Sequence, residues 1–181
     1  MQSKLNLELK YFCKDFTPIR RALRELGAKK AFIKSQKDYF LNLPEDKKMP
    51  ARARLKLRVE DKKQRLVFYR RPNFSAKGGT HSDVLLLPIK DKNLLDFLSK
   101  ALGVRAIVEK KRELWKKDNT VFHLDTLKGV GRIFEIEVWP SSTTIKKDRA
   151  KFNYYCKKLL PFLDKIVKGS NEDLVSPNKI S

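Results

Sequence analysis

The sequence predicts a mainly β, α+β fold: an eight-stranded antiparallel β-barrel with helices packed on its outside. Three observations lead there. About eight short segments carry the alternation or β-rich composition of strands, and the clearest of them alternate polar and apolar residues at a period of two, as half-buried strands do. Turn residues separate them at hairpin-like spacing, which favours an antiparallel meander over parallel crossovers. Three further segments carry apolar residues at helical spacing, enough to cover one face of a curled sheet. The chain has 181 residues, 41% of them hydrophobic, which suits one well-buried core and not two.

Each element follows from its residues. Residues 4–12 alternate strictly, with Leu5, Leu7 and Leu9 on one face and Lys4, Asn6, Glu8 and Lys10 on the other. A helix follows, with Thr17 as its cap, Pro18 at its first position, a stripe of Ile19, Leu23 and Leu26, and Gly27 as its stop. A short strand is expected over 37–41, then a charged loop over 43–50. Residues 53–60 alternate again: Leu55, Leu57 and Val59 against Arg54, Lys56, Arg58 and Glu60. A strand over 65–71 is stopped by Pro72, and 73–82, with Ser75, Gly78 and Gly79, reads as a long flexible loop. A short strand over 84–89 precedes a helix capped by Asp91, carrying Leu94, Leu95, Leu98 and Leu102 and ending at Gly103. Strands are expected over 106–115, 121–127 and 132–139. A third helix over 144–160 carries Phe152, Tyr155 and Leu159, and a last short helix is expected over 162–167. This makes a single domain of residues 1–168, followed by a polar, mobile tail over 169–181.

Charge narrows the function. Forty-two basic residues against twenty-one acidic ones give +21 and a pI near 10.1. Such an excess calls for a polyanionic partner: nucleic acid, an anionic membrane surface or a highly phosphorylated small molecule. No apolar run approaches the roughly 20 residues of a membrane helix. The start, MQSKLNLELK, lacks the apolar stretch of a secretory signal, so a cytoplasmic location is expected. Cys13 and Cys156 match no metal or redox spacing and read as buried thiols.

The placement of the charges is the stronger signal. Glu8 and Lys10 share a face, as do Lys56 and Arg58, Lys110 and Arg112, and Glu135 and Glu137, with Asp125 on the strand before. The opposite faces are apolar (Leu55, Leu57, Val59; Phe134, Ile136, Val138) and need the helices as cover. With helices outside, the charged face turns inward, where so many ionised groups are prohibitively costly without pairing, metal or ligand. Carboxylates suit hard divalent cations such as Mg²⁺ or Mn²⁺. Lysine and arginine suit phosphate oxygens, and no Walker phosphate loop is present.

The segments NLELKYF, QKDYFL, RLKLRVE, LVFYRRP, ALGVRAIVEKKREL and FHLDTLKGVGRIFEIEV, in this order, resemble the CYTH superfamily, the triphosphate tunnel metalloenzymes. The ending GSNEDLV resembles the usual end of its members. The likeness is nearest to bacterial class IV adenylyl cyclase-like proteins, with thiamine triphosphatases and inorganic triphosphatases more distant. It implies an eight-stranded tunnel that hydrolyses or cyclises a triphosphate with Mg²⁺ or Mn²⁺. Carried over by position, Glu8, Asp125, Glu135 and Glu137 match metal-binding carboxylates, and Lys10, Lys56, Arg58, Arg70, Lys110 and Arg112 match phosphate contacts. Glu8, Lys10 and Glu135 would carry catalysis. Asn6 stands where the family's signature has its first glutamate, so the metal site has one compensating charge fewer.

Other residues take plainer roles. His123 shares a face with Asp125 and could serve as a general acid or base, although a hydrogen-bonded structural histidine is the simpler reading. His81 reads as a solvated loop residue, Trp115 and Trp139 as packing residues, and Lys47, Lys48, Lys62, Lys63, Lys146, Lys147, Lys157 and Lys158 as a solvated surface. The expected activity is metal-dependent hydrolysis of a nucleoside triphosphate such as ATP, of tripolyphosphate or of thiamine triphosphate, by a monomer or homodimer. The alternatives are cyclisation of ATP to cyclic AMP and a non-catalytic module that binds polyphosphate or nucleic acid.

Overall fold

Eight strands form one antiparallel sheet in the computed structural model, which describes residues 7–44, 53–61, 63–70, 83–140 and 145–175. In chain order they are β1 (Leu7–Phe12), β2 (Lys29–Leu41), β3 (Ala53–Glu60), β4 (Lys63–Arg70), β5 (Asp83–Ile89), β6 (Val104–Lys117), β7 (Thr120–Leu127) and β8 (Gly131–Val138). The helices are α1 (Thr17–Glu25), α2 (Leu94–Leu102), α3 (Ile145–Leu159) and α4 (Asn171–Val175). The expectations for Asn6, Lys47, Lys48, Lys62 and the loop over 73–82 with His81 lie outside the described residues. No helix among the described residues is long and apolar enough to cross a membrane.

The strand order is β1-β8-β7-β6-β2-β3-β4-β5. No β1–β5 ladder closes it among the described residues, yet the sheet curls like a barrel, because inward side chains of all eight strands line one cavity. The hairpins set the register. Asp118 adopts φ 50° in the tight turn between β6 and β7, the left-handed conformation that a two-residue hairpin needs.

The outer face of β1, β8, β7 and β6 is the main core. Leu7, Leu9 and Tyr11, Trp115, Phe122 and Leu124, and Phe134, Ile136 and Val138 pack against Ile19 and Leu23 of α1 and against Phe152, Tyr155 and Leu159 of α3. α1 starts as the sequence suggests but is capped differently. Thr17 is its first residue, and Asp15 Oδ1 accepts hydrogen bonds from Thr17 N at 3.0 Å and Thr17 Oγ1 at 3.1 Å. Gly27, at φ 78°, turns the chain out of the helix. Arg20 of α1 grips Glu113 on the outer face of β6 through Nε and Nη2 at 2.9–3.2 Å.

Three expectations need correction. β2 runs thirteen residues from Lys29, not from 37, because it spans the whole length of β6. No helix forms over 162–167; after a 3-10 turn at Leu160–Phe162, this stretch lies along β1 instead. Asp164 N and Val167 N donate to Phe12 O and Lys10 O at 2.8 and 2.9 Å, and Phe12 N donates to Lys165 O at 3.0 Å. Nor is the domain edge at 168: Gly169–Val175 fold back on the barrel, with Ser170 and Glu172 buried and Leu174 and Val175 packed on the second core of Phe40, Val67, Tyr69, Val108, Leu127, Ile133 and Val167. Residues 176–181 of the expected tail lie outside the described residues.

Candidate functional site

The strand alternation that buries apolar residues outside sends the charges inward. The cavity they line has a volume of about 410 Å³. Eight cations line it among the described residues: Lys10, Lys34, Lys56, Arg58, Arg65, Lys110, Arg112 and Lys116. Four carboxylates, Glu8, Glu60, Glu135 and Glu137, line it with them. Asp38 and Asp125 are buried behind this lining, at 2% and 0% exposure.

Those two aspartates organise the basic wall in the same way twice. Arg58 donates to Asp38 through Nε at 2.7 Å and Nη2 at 2.9 Å, and Lys56 Nζ donates to Asp38 Oδ2 at 2.7 Å. Arg112 donates to Asp125 at 2.7 and 2.6 Å, and Lys110 Nζ at 2.9 Å. Each aspartate neutralises one of two cations and fixes both, so a triad with both cations protonated faces the cavity with one net positive charge. Burial alone would raise the Asp38 and Asp125 carboxyls, but the paired cations outweigh it and hold both low, Asp38 far below the carboxylate range. For Lys56 the balance reverses: burial, with help from Arg58 and Lys110, outweighs Asp38 and brings it down to about 7. Burial and Arg112 likewise lower Lys110. Arg58 and Arg112 stay charged, since their aspartates more than offset burial.

The acidic wall is built on β1, β7 and β8. Lys10 Nζ bridges Glu8 Oε1 at 2.8 Å and Glu135 Oε1 at 3.1 Å, and Arg112 Nη2 reaches Glu135 Oε2 at 3.1 Å. Burial would raise the Glu135 carboxyl, but Lys10, His123 and Arg112 hold it well below the ordinary range. His123 Nε2 meets Glu137 Oε2 at 3.1 Å, and its Nδ1 is buried without a partner among the described residues.

Register adds what pairing distances do not. Glu8 and Glu137 are direct cross-strand partners, as are Lys34 and Arg112, and Arg58 and Arg65. Like charges directly opposite on one face repel. The cavity thus sets one carboxylate pair on one wall and two cation pairs on the other, alongside the matched pairs Lys10–Glu135, Arg58–Asp38 and Arg112–Asp125. Among the described residues no three of His, Cys, Asp or Glu converge as a ready metal cage. Mg²⁺ is commonly held by one or two carboxylates plus substrate phosphates, so the opposed Glu8 and Glu137, with Glu135 beside them, fit a divalent cation that arrives with a polyphosphate.

Most residues expected at the site meet in this cavity: Glu8, Lys10, Lys56, Arg58, Lys110, Arg112, Glu135 and Glu137. Two do not take the expected place. Arg70 is exposed and lies on the other face of β4 from the inward Arg65, Val67 and Tyr69, because five positions separate it from Arg65 and alternation reverses over an odd step. Asp125, expected as a metal ligand, is committed to Arg112 and Lys110 behind the lining. Missed in the sequence were Asp38, Lys34, Arg65 and Lys116. Alternation back from Phe40 reaches Asp38 inside the expected strand, and Lys34 once β2 is extended back past 37.

A family model described as CYTH domain matches residues 4–157. A search of curated protein sequences found no match. Solved structures do match in fold. A protein of Pyrococcus horikoshii OT3 superposes with a TM-score of 0.75 at 20% identity, over 94% of this chain and 99% of that one. A Vibrio parahaemolyticus protein described as a proposed adenylate cyclase gives 0.75 at 16% identity, over 97% and 99%. A proposed adenylyl cyclase from Hippeastrum, described as revealing a dominant triphosphatase activity, gives 0.64 at 14% identity, over 98% and 97%.

Proposed function

We propose that this chain, which belongs to the CYTH domain family, binds a triphosphate in its charged cavity and hydrolyses it with Mg²⁺ or Mn²⁺. The observation that carries the reading is the segregation of directly opposed like charges. Lys34 faces Arg112 and Arg58 faces Arg65, while Glu8 faces Glu137. An anion between the cations and a divalent cation between the glutamates would relieve both repulsions at once, and a metal-bound triphosphate supplies both.

The two triads then have a defined task. Arg58 and Arg112 hold phosphoryl oxygens with guanidinium groups locked in place by Asp38 and Asp125, and Lys56 and Lys110 add point charges beside them. Such pre-set cations stabilise charge that develops during phosphoryl transfer without having to reorganise. Glu8, Glu135 and Glu137 would hold the metal, which when bound polarises the phosphoryl group and activates a water. Lys10, shared between Glu8 and Glu135, offsets part of that negative charge in the free protein.

The test is direct. Purified protein is incubated with ATP or tripolyphosphate, with and without Mn²⁺ or Mg²⁺, and phosphate, pyrophosphate and cyclic AMP are measured. Metal-dependent release of phosphate is expected. Cyclic AMP as the product would replace hydrolysis by cyclisation, and no turnover with any metal would leave a binding module. Glu137→Gln should abolish turnover and leave tripolyphosphate binding within a few-fold, since it removes a carboxylate that would hold the metal and no phosphate contact.

A further inference from the structure

The segment that folds back after α3 carries a polar side chain that the protein itself does not use. Ser170 is 2% exposed and lines the cavity, and its Oγ has no hydrogen-bond partner among the described residues. A serine at this place would ordinarily use its hydroxyl to accept the backbone N–H three residues on. Here Asp173 N donates to the backbone carbonyl of Ser170 at 3.1 Å, while Asp173 Oδ2 accepts from Ser170 N at 2.7 Å. The hydroxyl is left over. Buried hydroxyls without partners are uncommon because they are destabilising, so this one needs another reason to be there.

Its surroundings suggest what the reason is. Arg54 shares the inward face of β3 with Lys56 and Arg58, and it is tied to this segment, donating to Glu172 Oε2 at 3.0 Å and Asp173 Oδ1 at 2.9 Å. Arg105 donates to the same Glu172 oxygen at 3.1 Å. Val167 packs with Phe40, Val67 and Tyr69, and the rings of Phe40 and Tyr69 hold Lys56 Nζ at 5.0 and 5.6 Å from their centres. The segment is thus clamped to the basic wall near Lys56 by two arginines, with Ser170 turned into the cavity.

We propose that Ser170 Oγ donates a hydrogen bond to an anionic oxygen of the bound triphosphate, and that Glu172 is a positioning residue that sets it there. This deepens the triphosphate reading and rests on it. The contact recognises a phosphoryl oxygen and needs no nucleoside, so bare tripolyphosphate suffices as the probe.

Metal-free tripolyphosphate is titrated calorimetrically into the wild type, Ser170→Ala, Glu172→Gln and the double variant, with thermal unfolding measured on each. Ser170→Ala should weaken binding about tenfold or more, as loss of a hydrogen bond to a charged group does. It should not lower Tm, because no protein partner is lost. Glu172→Gln should lower Tm and weaken binding, but should weaken it no further once Ser170 is alanine. Binding by Ser170→Ala within twofold of wild type, or a Tm loss in step with its affinity loss, would overturn the contact alone. Additive losses in the double variant would remove the positioning role of Glu172. Absence of tripolyphosphate binding by the wild type, both metal-free and with Mn²⁺, would overturn the contact together with the triphosphate reading.

Discussion

Two lysine–arginine pairs stand in the same barrel on the same plan, and they differ in what lies beyond them. Lys56 and Arg58 of β3 close on Asp38, and among the described residues no second carboxylate reaches Arg58 within ion-pair distance. Lys110 and Arg112 of β6 close on Asp125, but Arg112 goes on to Glu135, which Lys10 joins to Glu8. The first triad is a self-contained grip. The second ties the basic wall to the acidic one. A side chain between two buried carboxylates is structurally expensive to lose, whereas one in a closed triad is free to serve a ligand.

The sharpest way to break this contrast is to remove the arginines one at a time. Arg112→Ala takes a partner from two buried carboxylates at once, Asp125 at 0% and Glu135 at 6% exposure, leaving each with a single lysine, Lys110 and Lys10. Breaking a buried pair by deleting one partner costs about 3–5 kcal/mol, so denaturant unfolding should show a loss in that range. Arg58→Ala leaves Asp38 with Lys56 still in place. Its stability loss should be clearly smaller. Equal losses would mean that the link through Glu135 carries no weight.

Ligand binding should show Arg58 where stability shows Arg112. Loss of a charge-assisted contact at Arg58 should weaken tripolyphosphate by about 1.5–3 kcal/mol, roughly ten- to a hundredfold, measured on a variant that remains folded. Asp38→Asn should keep both cations but release their geometry, with a smaller loss of affinity. A Arg58→Ala variant that binds like the wild type would take the first triad out of the site.

Much of this was legible from alternation alone. Leu7 and Leu9 outside against Glu8 and Lys10 inside, or Phe134 and Ile136 outside against Glu135 and Glu137 inside, need only a period of two and a decision about which face is covered. What alternation could not supply was contact across strands. Asp38 and Arg58 are twenty residues apart, and only the β2–β3 register makes them opposite. Asp125 looked like a metal ligand because its residue type and face were right, while its partners on β6 were invisible in one strand's pattern. The end of the chain was misread for a related reason. GSNEDLV is polar and would be expected to be mobile, but its polar residues are matched by Arg54 and Arg105, more than sixty positions away in the sequence. Cover was also misjudged on one side. α2 has an apolar stripe but buries none of its residues, and Phe97 is 66% exposed.

The smallest expected effect sharpens the comparison most, because it titrates one triad inside the intact protein. Lys56, buried beside Arg58 and Lys110, is brought down to about 7 from the ordinary 10.5. In the free protein it therefore gives up its proton near neutrality, whereas the unfolded chain keeps it. Below pH 7 both states are protonated, and the burial of a charged Lys56 weighs against folding. Between pH 7 and 10.5 the unfolded state binds more protons, so this group makes the free protein more stable as pH rises through that window. Ligand binding runs the other way. A bound phosphate adds negative charge beside Lys56 and raises its pKa, so binding takes up a proton. Affinity from this group is complete below pH 7 and falls above it, by at most about tenfold per pH unit, until the pKa of the complex is reached. Tripolyphosphate has its own titration, so the readout is the difference between wild type and Lys56→Met at each pH in the same buffer. Lys56→Met should remove the slope that belongs to the protein, and Lys56→Arg should remove it while keeping the low-pH affinity, since arginine holds its charge throughout. Arg58→Ala should move the midpoint of that slope upward, because it removes a neighbouring positive charge and leaves Asp38 to Lys56 alone. A wild-type slope identical to that of Lys56→Met would place Lys56 outside the set of groups that feel the ligand.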